Sequence, residues 1–315
     1  MKILILGNGF DLDLGLRTRY SDFAKSLQWE DLYRRFPQTG DRLANYLYEL
    51  ANKECWFDIE QGIADYVKGK EQNKDFSQVD EDHRFFLELK KSLGSYLLYE
   101  IGNMDLNIES LASKMLDLQY YKDYFDYIYS FNYTDYDAMC AFNDIKPIHP
   151  VYIHNPYDID GSIILGIGEG DCTSEEYDFL KKTNQPAYKP TNILRDLINA
   201  DEVVIFGHSL NKIDSMYYKK FFEVCSGEDW KRERKRHITL IDLFGNEEKI
   251  RKDLRSLNNN FMQCIHFCDL SFFPSNTYHS DCDNKEQEMD ELIEKLKNTD
   301  YNWLTSKSLC LSVDH

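Results

Sequence analysis

A chain of 315 residues can bury a full core, either as one large domain or as a nucleotide-binding domain carrying an insertion. Its formal net charge of -18 argues against general nucleic-acid binding, because phosphate backbones demand clustered Lys and Arg. No apolar run approaches the roughly 20 residues that cross a bilayer, so no membrane contact is expected, and Met1 leading directly into an apolar stretch points to the cytoplasm rather than to a signal peptide.

The chain opens with KILILGNGFDLDLGLRTRY at 2–20. Ile3, Leu4, Ile5 and Leu6 are apolar without alternation, as in a parallel strand covered on both faces, and the run breaks into Gly7-Asn8-Gly9. Glycines at that place let a backbone approach a phosphate or dinucleotide where a Cβ would clash. The spacing is G-x-G-x5-G, however, with Leu12 where the dinucleotide fingerprint has its third glycine, so a purely structural strand-to-loop turn stays open beside the nucleotide reading.

Ser21 has the chemistry of a helix N-cap, with Asp22 in the first turn. The apolar spacing predicts a helix ending before Pro37, a second over Asp41–Ala51, a third over Trp56–Val67, and two more over His83–Tyr99 and Ile108–Tyr124. The hydrophilic stretch Gly69–Asp75 reads as a loop between them. Residues 21–124 thus read as a helical cap inserted after the first strand.

Short apolar runs divided by turns follow. Strands are expected at Tyr127–Phe131, Val151–Ile153, Ser162–Leu165, Glu202–Phe206, His237–Ile241 and Phe261–Phe267, with helices at Leu194–Ala200, Ile213–Val224 and Glu247–Leu257. This alternation is the pattern of an α/β doubly wound parallel sheet of Rossmann type, formed by residues 1–20 and 125–283, with a C-terminal helix at Asn284–Lys297 and a tail over 284–315. A ligand would lie at the strands' carboxyl ends, where Gly7, Asn8, Gly9 and Asp11, then Asn132, Thr134 and Asp135, then His154, Gly207, Ser209 and Asp242 converge.

The basic run Lys231–His237 reads as a solvated connection before a strand. Eight cysteines without a C-x-x-C pair read as reduced thiols of a cytoplasmic protein. Zinc at Cys264, His266, Cys268, His279 and Cys282 is disfavoured, because alternating positions on a strand lack the turn that brings ligands round an ion, and no metal is expected.

GNGFDLDLGLRTRYSDF at 7–23, Trp56-Phe57-Asp58-Ile59-Glu60, FNYTD at 131–135, IHN at 153–155 and GHSLNKIDSMYY at 207–218 resemble the AbiH family of bacteriophage abortive-infection proteins over most of residues 1–225. Two positions depart from the family pattern: Arg17 stands where Pro is usual, and Asn155 where the family has Gly. AbiH is in turn distantly similar to sirtuin-like NAD-binding domains. That resemblance implies NAD as ligand or substrate, His154 at the place of the catalytic histidine, Asp242 on the adenosine-ribose strand, and Thr134 or Asp135 at the place of the acid after Asn132. The sirtuin zinc ribbon is absent, which leaves cleavage of the nicotinamide bond rather than protein deacylation.

On this reading Asn132 orients the water or ribose, His154 is the general base, and Asp135 is a third catalytic candidate. Gly7, Asn8, Gly9, Asp11, Thr134, Gly207, Ser209 and Asp242 hold the dinucleotide, and Arg17 or Arg19 brings charge to its diphosphate. The second reading is a nucleotide-binding sensor without turnover, answering a phage-derived trigger through a partner or as a homo-oligomer.

Overall fold

Strand β1 (Lys2–Leu6) is apolar without alternation because both of its faces are covered: Ile3 and Ile5 enter one core cluster, Leu4 and Leu6 another. The computed structural model describes the chain except residues 37–39, 54–57, 144, 158–161, 211–212, 228–234, 244–246, 259–260, 276–289 and 295–315. Around β1 lie β2 (Tyr127–Ser130), β3 (Val151–Tyr152), β4 (Glu202–Phe206), β5 (Arg236–Asp242) and β6 (Cys268–Pro274), all parallel, in the order β3-β2-β1-β4-β5-β6. This is the strand order of the doubly wound dinucleotide-binding fold, whose order of strand addition reverses between β1 and β4 and opens a crevice there.

Twelve described α-helices accompany the sheet. They are α1 (Asn8–Asp13), α2 (Tyr20–Phe23), α3 (Leu27–Arg35), α4 (Leu43–Lys53), α5 (Ile59–Asn73), α6 (Val79–Asn103), α7 (Leu111–Lys122), α8 (Tyr136–Phe142), α9 (Ile193–Asn199), α10 (Ser215–Gly227), α11 (Glu247–Leu257) and α12 (Phe261–Phe267). One face of the sheet is covered by α1, α7 and α8, the other by α9 to α12. A third core joins α3 to α6 and takes in Tyr157, Ile163, Leu165, Ile167, Tyr177 and Leu180 from the segment after β3.

Several expectations are corrected. Phe261–Phe267 is helix α12, and the last strand begins at Cys268. A short apolar run has no period long enough to separate the two forms. Ser162–Leu165 joins no strand ladder; Ile163, Ile164 and Leu165 are buried, and Ile164 is tied through its amide to the carbonyl of His154 at 2.7 Å. The expected loop Gly69–Asp75 is helical through Asn73, because Lys70 lies buried with its ammonium 2.9 Å from Asp41 and 2.7 Å from Asp75. Helix α2 begins at Tyr20 with Arg19 as N-cap, so Ser21 is inside it. Arg236, from the run read as solvated, is fully buried and donates to the carbonyls of Leu197 and Ile198 at 2.8 and 2.9 Å, closing the end of α9. Residues 231–234 of that run, Trp56, and all but 290–294 of the expected C-terminal helix lie outside the described residues.

The turns after β1 and β4 cross in direct backbone contact. Gly9 N donates to Gly207 O at 2.9 Å, and a Cβ on Gly207 would stand 2.3 Å from the Cα of Gly9. Gly207 also has φ of +67°, a region that side chains disfavour. Gly207→Ala is therefore expected to destabilise the fold by roughly 3 kcal/mol or more, since neither backbone can withdraw without breaking the strand ends. Urea unfolding measures it, and a midpoint unchanged from the parent chain would contradict this account of the crossing.

Candidate functional site

A cavity of about 750 Å³ lies between the carboxyl ends of β1, β2, β4 and β5 and the inserted helices, with Leu93 and Leu97 of α6 and Asp58 and Glu60 at the start of α5 forming its roof. That volume suits a nucleotide-sized ligand. Two buried polar clusters reach its wall.

The first centres on Asp11 of α1. Its carboxylate accepts hydrogen bonds from Asn132 Nδ2 at 3.0 Å, from Thr134 Oγ1 at 2.6 Å and from the Tyr136 hydroxyl. Asn132 Nδ2 also donates to Gly7 O at 2.9 Å, so the end of β2 is fastened to the turn after β1. Burial pushes the Asp11 carboxyl up to about 6, against the pull of these donors.

The second cluster was assembled by no single motif. His154, after β3, turns Nε2 to Asp214 Oδ1 at 3.0 Å. Lys182 places Nζ 2.9 Å from Asp214, 3.0 Å from Glu60 and 3.3 Å from His154 Nε2, and His208 Nε2 stands 3.8 Å from the other oxygen of Asp214. Every one of these side chains is buried. Burial works against the charges, yet Lys182 and the two histidines hold the Asp214 carboxyl well below the ordinary range. Burial likewise opposes the Lys182 ammonium, and Asp214 and Glu60 outweigh it to hold its pKa above the ordinary lysine value. Burial lowers His208 to about 4, and its Nδ1 accepts from Leu210 N at 2.9 Å, so His208 is a neutral imidazole with its other nitrogen toward Asp214.

Of the expected site residues, Gly7, Asn8, Gly9, Asp11, Asn132, Thr134, His154, Gly207, Ser209 and Asp242 all line this one cavity. Two stand elsewhere. Asp135 caps α8, accepting from Ala138 N at 2.9 Å, and Arg17 is exposed, while Arg19 takes a place on the wall. The glycine amides are already engaged, Gly7 N with Phe206 O at 2.8 Å and Gly9 N with Gly207 O, so these glycines serve backbone crossing before ligand approach. Asn155 explains its departure from glycine, having φ of +57°, a conformation that Asn tolerates. Glu60, Asp214 and His208 stood inside the quoted motifs without a role. Lys182 had no sequence signal, because a lysine in a polar connection reads as solvent-exposed.

Asp11 has a pH signature. Unfolded, it titrates near 3.8, and folded near about 6, so as pH rises through this window the unfolded chain ionises first and stability falls. Asp11→Asn lacks that decline. Its stability relative to the parent chain is expected to improve between these two values by on the order of 3 kcal/mol, read by urea unfolding at stepped pH. A difference that stays flat across the window would contradict the burial assigned to this carboxyl.

The family described as "Bacteriophage abortive infection AbiH" matches residues 3–232, well over half of the chain. No curated protein and no solved structure matches the chain at a significant level. No helix among the described residues is long and apolar enough to cross a membrane.

Proposed function

The chain belongs to the bacteriophage abortive infection AbiH family and so has a role in abortive infection, and from that premise we propose that its cavity binds NAD and hydrolyses the nicotinamide-ribose bond. The observation that carries this reading is the arrival of Asn132 and of the His154–Asp214 pair at one nucleotide-sized cavity over the β1/β4 crevice. Breaking the N-glycosidic bond develops positive charge on the ribose, and the acidic wall of Asp11, Glu60 and Asp214 favours that charge. As the bond breaks, its electrons leave with nicotinamide and water adds to C1′ of the ribose. With Nε2 turned to Asp214, Nδ1 of His154 is the nitrogen that takes the water's proton, and Asp214 orients the ring and stabilises the charge it gains. Asn132, held by Asp11 and Gly7, positions the ribose or the water. Arg19 and Lys249 line the wall and suit the diphosphate. A nucleotide sensor without turnover has one observation in its favour: Glu60, Lys182, Asp214 and His154 are so fully engaged with one another that they also suit a lock between cap and sheet.

Incubation of purified protein with NAD, with free nicotinamide and ADP-ribose followed by chromatography, tests the reading. His154→Gln and Asn132→Ala are expected to lower turnover by ~100 to 10,000-fold. Asp214→Asn is expected to lower it at least comparably, because it also unpairs Lys182 within the buried cluster that closes the cavity. Asp135→Ala is expected to keep near-parental turnover and lose ~1 kcal/mol of stability through its cap. NAD binding without cleavage, with or without phage lysate, would make the sensor the better reading. Full activity in His154→Gln would remove the histidine as base.

A further inference from the structure

On the sheet face away from α1 and α7, three cysteines meet in the core. Cys225 lies in the last part of α10, Cys264 in α12 and Cys268 at the first position of β6, and all three are at most 1% exposed. Their sulfur atoms all lie within 4.8 Å of one another. Along a strand, Cys264 and Cys268 would stand at alternating positions without a turn to bring them round an ion. Because 261–267 is helical, the two instead stand one turn apart, and Cys225 closes the triangle from a neighbouring helix. His266 is exposed and takes no part, and His279 and Cys282 lie outside the described residues.

We propose that Cys225, Cys264 and Cys268 form an all-thiolate site for a soft monovalent d10 cation, Cu(I), separate from the nucleotide cavity. The donor set selects the ion. Three sulfurs with no oxygen or imidazole nitrogen favour thiophilic metals over magnesium, calcium or manganese. Structural zinc takes four ligands, and among the described residues this cluster offers three. Metal–sulfur bonds of ~2.3 Å in a planar trigonal array put sulfurs ~4 Å apart, so the triangle needs to contract by less than ~1 Å. Cu(I) displaces the three thiol protons into solvent and leaves a buried doubly negative centre, so a compensating cation must stand near. Arg236, fully buried with its guanidinium 5.2 Å from the ring of Phe221, one turn from Cys225 on the same helix, offsets one of these two charges. Each of the three thiols must lose its proton for the ion to bind, so capture of the ion strengthens as pH rises.

The test titrates the reduced full-length protein with Cu(I) delivered from a competing chelator. One equivalent is expected to bind, with X-ray absorption reporting a shell of three sulfurs and with the thermal midpoint raised. Cys225→Ser and Cys264→Ser should each weaken binding by more than about tenfold. A chain carrying Cys55→Ser, Cys282→Ser and Cys310→Ser together should keep the full equivalent. Loss of binding in that triple variant, an oxygen- or nitrogen-rich shell, or no capture by the parent chain against the chelator would overturn the proposal. The absorption and melting measurements use the parent chain, so they decide the matter even where a serine variant fails to fold.

Discussion

The backbone crossing of Gly9 and Gly207 holds the whole arrangement in register. Two parallel strands that diverge to opposite sides of a doubly wound sheet leave a crevice at their carboxyl ends, and the width of that crevice is set by how closely their turns approach. Here the turns touch, with Gly9 N bonded to Gly207 O and Gly7 N to Phe206 O. Asn132 then reaches Gly7 O from the end of β2, and Gly207 N reaches Ile241 O at the end of β5. Four strand ends are thereby welded into one rigid rim, and the polar side chains that project from it inherit that rigidity.

Charge fastens the cap to the rim. Lys182 comes from a short 3-10 turn in the segment after β3, Glu60 from α5 of the cap, and Asp214 from the connection before α10. Leaving any one of the three unpaired in so buried a place would be costly, so the cluster holds as a unit. Tyr133 adds to it, its hydroxyl donating to Glu60 at 3.1 Å. The same contacts that join cap to sheet also turn His154 toward Asp214, so closure of the cavity and orientation of its histidine are one event. The cap core supports this from the other side, since Tyr157 and buried residues from Ile163 to Leu180, between β3 and α9, pack into it.

The strands were legible where burial on both faces removed alternation, as in Ile3–Leu6 and Val203–Phe206, because a strand covered on both sides has no polar face to break the run. Legibility failed in short apolar runs. FMQCIHF carries too few residues to show a period, and the neighbours that made it helix α12 lie in α10, more than thirty residues back in the chain. It failed again at Gly69–Asp75, where Lys70 has Asp75 nearby in the chain but meets Asp41 only once α5 has packed beside it.

Local chemistry was sufficient to name the strand ends and most of the polar groups on the cavity wall, because residue type, a preceding apolar run and a turn are all properties of neighbouring positions. The pairing of those groups was not a local property. That Asp11 would gather Asn132, Thr134 and Tyr136, and that Lys182 would sit buried between Glu60 and Asp214, depends on which segments the fold brings within 3 Å of one another. Hydrogen bonds form only at that distance, and residues more than a hundred positions apart meet there only when the sheet and its cap have closed.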